Sequence, residues 1–232
     1  TSAHMATEEW APVPLLEALK HPLATLGESK ADFRSKLIAL EDMVLHGPRP
    51  GPGAEGIRGL LTAAFNRQSR RPDQKLSKEE LKAAQDALED FVNRLETAGK
   101  PFFDLIASDK PVSFSEYLDA HIVFAEALAA EGKSTGADRI WRGDDGVKAS
   151  RFLTQLRDAA KHLPAVSGRD YVDVLHGLMR DVKVQKTAKP HPTLKIVTPE
   201  QAALMKADVV IVGGINDESW PRRPSENPWL SH

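Results

Sequence analysis

S-K-E-E-L-K-A-A-Q-D-A-L-E-D-F-V-N-R-L-E-T-A, Ser77 to Ala98, sets the character of the chain. Ser77 followed by Glu80 is a capping box, in which the hydroxyl and the carboxylate each satisfy a backbone N–H that the first turn of a helix leaves open. Leu76 and Leu81 can form a hydrophobic staple across it. Behind that start, Leu81, Leu88, Phe91, Val92 and Leu95 recur at helical spacing and predict the inward face of a helix over 77–98. Ser113 with Glu116, flanked by Val112 and Tyr117, repeats the device. It predicts a second core helix over 113–131, with Tyr117, Phe124, Ala125 and Leu128 turned inward.

Outward from these two, the same periodicity predicts helices near 12–20, 31–45, 54–66, 147–162 and 169–180, the last carrying Tyr171, Val172, Val174, Leu175, Leu178 and Met179. Short loops between them favour a compact helical domain. Gly47-Pro48-Arg49-Pro50-Gly51-Pro52-Gly53 has too many special backbone positions to continue either neighbouring helix and reads as an extended connector. Lys183, Lys186, Lys189, Pro190, His191 and Pro192 mark the passage out of the helical region. No internal repeat is present.

The pattern changes beyond that passage. Leu194-Lys195-Ile196-Val197 and then T-P-E-Q-A-A-L-M-K-A-D-V-V-I-V-G-G-I-N-D-E-S-W-P, Thr198 to Pro221, read as a strand, a short helix, a wholly apolar strand and a Gly/Asn/Pro turn. Thr198 is the N-cap of that helix, Pro199 its first residue, and Gln201 closes a T-x-x-Q box. Apolar strands joined through a helix belong to a parallel sheet buried on both faces. Two strands alone are marginal, so the segment reads as part of a larger α/β protein. The expectation is a mostly α chain: a helical domain over 6–190, a small α/β portion over 191–232, and Thr1–Met5 set aside as a cloning remnant.

Composition narrows the chemistry. With 41% hydrophobic and 28% charged residues the chain has an ordinary globular balance. Zero cysteines exclude disulfides, thiolate zinc sites, iron–sulfur ligation and a Cys nucleophile, and fit a cytoplasmic setting. No apolar run reaches the roughly 20 residues that span a bilayer, and no signal-peptide pattern opens the chain. A formal charge of -2 supplies no global attraction to nucleic acid, so any phosphate binding must be local.

Few residues carry a chemical signature. Gly132-Lys133-Ser134-Thr135 resembles the end of a phosphate loop, but Ala127 stands where the earlier glycine is required and a helix precedes it where a strand is needed. Gly132 reads as a helix stop. None of the eight histidines pairs at ligand spacing, so no metal and no cofactor is expected; His121, between Tyr117 and Phe124, reads as a hydrogen-bonded core residue, and His21, His162 and His176 likewise. Asp144-Asp145 reads as helix N-cap and first-turn residues rather than as a catalytic pair. No catalytic residue is assigned. The densest cationic run is Arg67, Arg70, Arg71 and Lys75, between two helices and interrupted only by Asp73. Such a loop can lie along a phosphate backbone, or can be no more than a solvated turn. The three linker lysines have a lower claim.

Thr198-x-x-x-Ala202, Asp208-x-Val210, Gly214 and Trp220-Pro221 resemble the fifth motif of the UvrD-like superfamily 1 helicases, T-x-H-x-A-K-G-L-E-F-D-x-V with a following glycine and an aromatic-Pro. V-V-I-V-G-G-I-N-D-E-S-W-P with N-P-W-L-S after it is similar to a G-G-L-N-E-G-T-W-P and D-P-W-L-S region in the alphaproteobacterial branch of AddB-type subunits of AddAB helicase-nucleases. Pro14-Leu15-Leu16 through Lys20-His21-Pro22-Leu23, Gly47-Pro48-Arg49-Pro50 and Trp141-Arg142-Gly143-Asp144-Asp145-Gly146 resemble that branch in the same order. Glu200, Ala203, Leu204 and Lys206 stand where a working motor has His, Lys, Gly and Glu, and Glu218 stands where the family usually has Gly. Loss of that glycine and reversal of that carboxylate should abolish nucleotide coupling.

The resemblance implies a helical 2B-like domain followed by strands of a 2A-like helicase domain. It further implies a non-catalytic part of a DNA double-strand break repair subunit, guiding DNA beside an AddA-type motor subunit. The polypeptide itself is expected to show no ATPase, helicase or nuclease activity, and the family's iron–sulfur nuclease domain has no counterpart in this sequence. The alternative is a helical protein–protein interaction module that does not touch DNA. A small-molecule enzyme is weaker, because no nucleophile, base or metal set converges in the sequence.

Overall fold

The computed structural model describes residues 2–70, 77–180, 182, 193–202 and 204–214. The chain divides into two compact units, Thr1–Lys186 and Thr187–His232. The first is built of helices: α1 (Ser2–Thr7), α2 (Pro12–Leu19), α3 (Lys30–Leu40) running into a π turn over Glu41–Leu45, α4 (Gly53–Ser69), α5 (Lys78–Ile106), α6 (Phe114–Ala129), α7 (Gly136–Ile140), α8 (Gly143–Ala160) and α9 (Gly168–Arg180). The protein is mostly α, as its periodicity predicts.

α5 is the spine, and both neighbours pack on it as antiparallel hairpins. Its start is the predicted capping box: Glu80 N–H donates to Ser77 Oγ (3.1 Å), and Ser77 N–H donates to Glu80 Oε2 (2.7 Å). Ser77→Ala should cost about 1 kcal/mol, read as a lower urea midpoint. Leu81, Leu88, Phe91, Val92 and Leu95 are all buried, as the spacing predicts. On α6, Tyr117, Phe124 and Leu128 are buried as expected, while Ala125 is only half-buried.

Both ends of α5 were not equally readable. The helix runs past Ala98 through Gly99, Lys100 and Pro101 to Ile106. Phe102 is fully buried, and Phe103 meets Trp10 and Phe124 edge to face at 5.4 and 5.0 Å. Burying Phe102 stabilises by about 1.5–3 kcal/mol, and with the contacts of the half-buried Phe103 this offsets the roughly 3 kcal/mol by which an internal Pro disfavours a helix. Gly99 makes this possible, because a Cβ there would stand 2.3 Å from the Phe103 ring.

α1 was not predicted. Ser2–Met5, which the sequence reads as part of a cloning remnant, form most of it, and Ala3 and Met5 are buried in the core. α8 begins at Gly143, earlier than predicted, and Asp144 and Asp145 occupy its first turn where the dipole favours carboxylates; the N-cap position is held by Arg142.

In the second unit α10 (Pro199–Ala202) forms with its predicted box: Thr198 N–H donates to Gln201 Oε1 (3.1 Å) and Gln201 N–H to Thr198 Oγ1 (3.4 Å). No ladder joins 194–197 to 208–214 among the described residues, where the sequence predicts parallel strands. Ile196 and Ile211 are 94% and 91% exposed. Strands draw their stability from neighbours on both edges and from burial of their faces, and the apolar side chains of 209–212 are exposed.

Candidate nucleic-acid interface

The α4–α5 hairpin carries its cations in two groups. Arg58 Nη1 donates to Asn93 Oδ1 (2.9 Å) and Glu96 Oε2 (2.8 Å), with Glu55 beside it (3.2 Å). The Glu96 and Glu55 contacts hold its guanidinium pKa above the ordinary value, against the lowering effect of burial. Arg94 pairs with Glu28, and Lys100 with Asp104 (3.1 Å). At the other end Arg67 lies in the last turn of α4 and Arg70 is its C-cap residue; both are exposed, and neither has a carboxylate partner among the described residues. Arg71 and Lys75 lie outside the described residues. Cations at a helix C-terminus are favoured by the dipole, which accounts for part of this placement without any ligand. Lys78 and Lys82 on α5, outside the run from Arg67 to Lys75, are also exposed and have no carboxylate partner among the described residues. Their signal in the sequence is a lysine at the first position of a helix, where a positive charge is disfavoured.

Of the residues that resemble a helicase motif, only some lie among the described residues. Thr198 caps α10, Ala202 is half-buried at its end, Asp208 is exposed, and Gly214 has φ +71°, a value that suits glycine. Trp220 and Pro221 lie outside the described residues. The structure brings none of these motif side chains onto a described ligand group.

His121 sits where the sequence places it, in the aromatic core. Its Nδ1 is 2.9 Å from Tyr171 Oη and its Nε2 2.8 Å from Ser2 Oγ, and its ring stacks on Phe102 at 4.6 Å. Burial lowers its pKa to about 4 and raises that of the Tyr171 phenol. A hydroxyl hydrogen-bonded to an imidazole can be an activated nucleophile, but that role needs room for a substrate. Neither of two open surface clefts reaches it. The first, about 360 Å³, is lined by Glu28, Ser29, Asp32, Ser35 and Lys36; the second, about 430 Å³, lies along α8 between Asp144 and Gln155.

In the first cleft Glu28 Oε1 accepts from Lys36 Nζ (2.6 Å) and from Arg94 Nη2. Glu28 Oε2 and Arg94 Nε are buried without hydrogen-bond partners, the latter 3.4 Å from Asp90 Oδ2. These are the two atoms that a bidentate Arg–carboxylate fork joins, so they complete each other rather than await a ligand. His4 and His176 meet edge to face at 5.6 Å. Among the described residues no group of three or more His, Asp or Glu could hold a metal ion.

No family model matches the chain, and no solved structure matches it. An uncharacterized protein of Rickettsia felis is 26% identical over 128 residues, 55% of this chain and 14% of that protein. A protein of Rickettsia bellii, also uncharacterized, is 29% identical over 128 residues, 55% of this chain and 14% of its own length. In Rickettsia conorii a third is 28% identical over 92 residues, 40% of this chain and 11% of that protein. The chain thus spans a small fraction of the length of these relatives, and they carry no function to it. Among the described residues no helix is long and apolar enough to cross a membrane.

Proposed function

We propose that the chain is a non-catalytic, helicase-like portion of a cytoplasmic DNA double-strand break repair helicase-nuclease subunit, whose helical body guides DNA beside a motor subunit. The observation that carries the DNA contact is the end of the α4–α5 hairpin where Arg67 and Arg70 are exposed with no carboxylate partner among the described residues, while Arg58, Arg94 and Lys100 are each held by a carboxylate. Four cations in the run Arg67, Arg70, Arg71 and Lys75 suit a phosphate backbone and read no sequence. For 191–232, the reading as strands of a 2A-like parallel sheet is supported by the T-x-x-Q cap and by the bare apolar faces of 209–212. Such faces fit strands that neighbouring strands cover in a larger protein.

Fluorescence anisotropy with labelled duplex DNA tests it. Replacing Arg67, Arg70 and Arg71 together by Ala should remove up to three phosphate contacts. The variant should then lose roughly 40-fold less affinity than the parent between 50 and 200 mM salt, at about 0.9 ions released per contact. Unchanged affinity and salt slope would overturn the DNA reading in favour of a helical docking module. The exposed Val174, Leu178 and Met179 on α9 are the feature that favours that second reading.

A further inference from the structure

The register of the hairpin brings more cations to the same end. Arg58 lies opposite Asn93 and Glu96. Because the helices run antiparallel at about 1.5 Å per residue, moving along α4 to Arg70 corresponds to moving back along α5 to the level of Lys82, with Lys78 one turn further towards its start. The two lysines are one turn apart on one face of α5, and both are exposed. Glu80, two residues from each, is engaged with the Ser77 backbone N–H at 2.7 Å inside the capping box. The exposed Glu79 is the remaining acid of that first turn and forms no ion pair among the described residues. Helix stability does not account for Lys78, since a cation in the first turn of a long helix opposes the macrodipole. The described aromatic residues nearest this end, Phe65 and Phe91, are buried, so it offers no platform on which unpaired bases could stack.

We propose that the phosphate-binding surface continues from Arg67 and Arg70 onto Lys78 and Lys82, and that it holds the backbone of duplex DNA. The inference rests on the DNA reading above and adds two contact residues and a nucleic-acid form to it. Lys78→Ala/Lys82→Ala in the full chain is the test, with a 25-base-pair duplex and a 25-residue oligo-dT as the two anisotropy probes. Both positions are exposed and Ala is the better helix former, so the fold is retained, checked by the far-UV spectrum. On duplex, the double variant should lose roughly tenfold less affinity than the parent between 50 and 200 mM salt, two contacts fewer, and Lys78→Arg/Lys82→Arg should keep the parent's slope. The parent should bind oligo-dT more weakly than duplex. If the lysine pair changes nothing while the arginine triple does, the surface ends at the loop and this inference fails alone. If neither changes binding, both readings fall. Oligo-dT bound as tightly as duplex would overturn the choice of duplex.

Discussion

Arg139→Met should lower the unfolding free energy by about 2 to 3 kcal/mol, the cost of leaving several part-buried acceptors without their charged donor. The guanidinium is 17% exposed and holds three chain segments together. Nη1 donates to Leu23 O (3.2 Å), to Thr25 Oγ1 (2.5 Å) and to Ala129 O, while Nη2 pairs with Glu131 Oε2 (2.7 Å). The last carbonyls of α6 have no intrahelical donors and are met instead by this arginine and by a neighbouring loop. Thr25 and Leu26 N–H both donate to Leu128 O (2.9 and 2.8 Å), and Gly27 N–H donates to Ala130 O (2.7 Å). That loop carries Leu26 at φ +47°, a conformation unfavourable for a branched side chain, so it is held by these contacts rather than by its own preference. Methionine keeps the packing of the stem and removes every donor. Urea unfolding followed by circular dichroism measures the loss, and Arg139→Lys should recover only part of it, because an ammonium cannot span the same fork. A loss under about 1 kcal/mol would show that solvent replaces these bonds at little cost.

What could be read from the sequence follows how far apart the interacting groups are. The capping boxes of α5 and α10 were legible because donor and acceptor stand three residues apart, and the structure forms both. The far end of α5 was not, because Gly99-Lys100-Pro101 is a local stop that distant aromatic packing overrides. Arg139 gave no signal at all, since its partners Leu23 and Thr25 lie more than a hundred residues away. The basic run around Arg70 was legible as a run, whereas Lys78 and Lys82 were hidden inside a segment already explained by its cap. Pairing of 194–197 with 208–214 depends on strands that local pattern can suggest and only neighbours can form.

Below pH 6.5 the protein should lose stability faster than its carboxylates alone would cause, and His121→Phe should remove that extra loss. Burial lowers the pKa of His121 from 6.5 to about 4, so the unfolded chain binds a proton in this window that the folded chain refuses. Its stabilising contribution is therefore complete above 6.5 and declines as pH falls towards 4, amounting to about 2 to 3 kcal/mol by pH 4.5. Hydrogen bonding does not set this shift: Ser2 Oγ and Tyr171 Oη can each turn to accept from an imidazolium, so the cost is that of placing a charge among aromatic rings. Phenylalanine preserves the stack on Phe102 and leaves the Tyr171 hydroxyl without its partner, so the variant should be less stable than the parent at pH 7.5. Its stability should nevertheless fall less between pH 7.5 and 4.5, the difference between the two slopes being the histidine's share. Equal slopes would mean that His121 is solvated when protonated, and the Ser2–His121–Tyr171 chain would then be open to water instead of closing α1 and α9 onto α6.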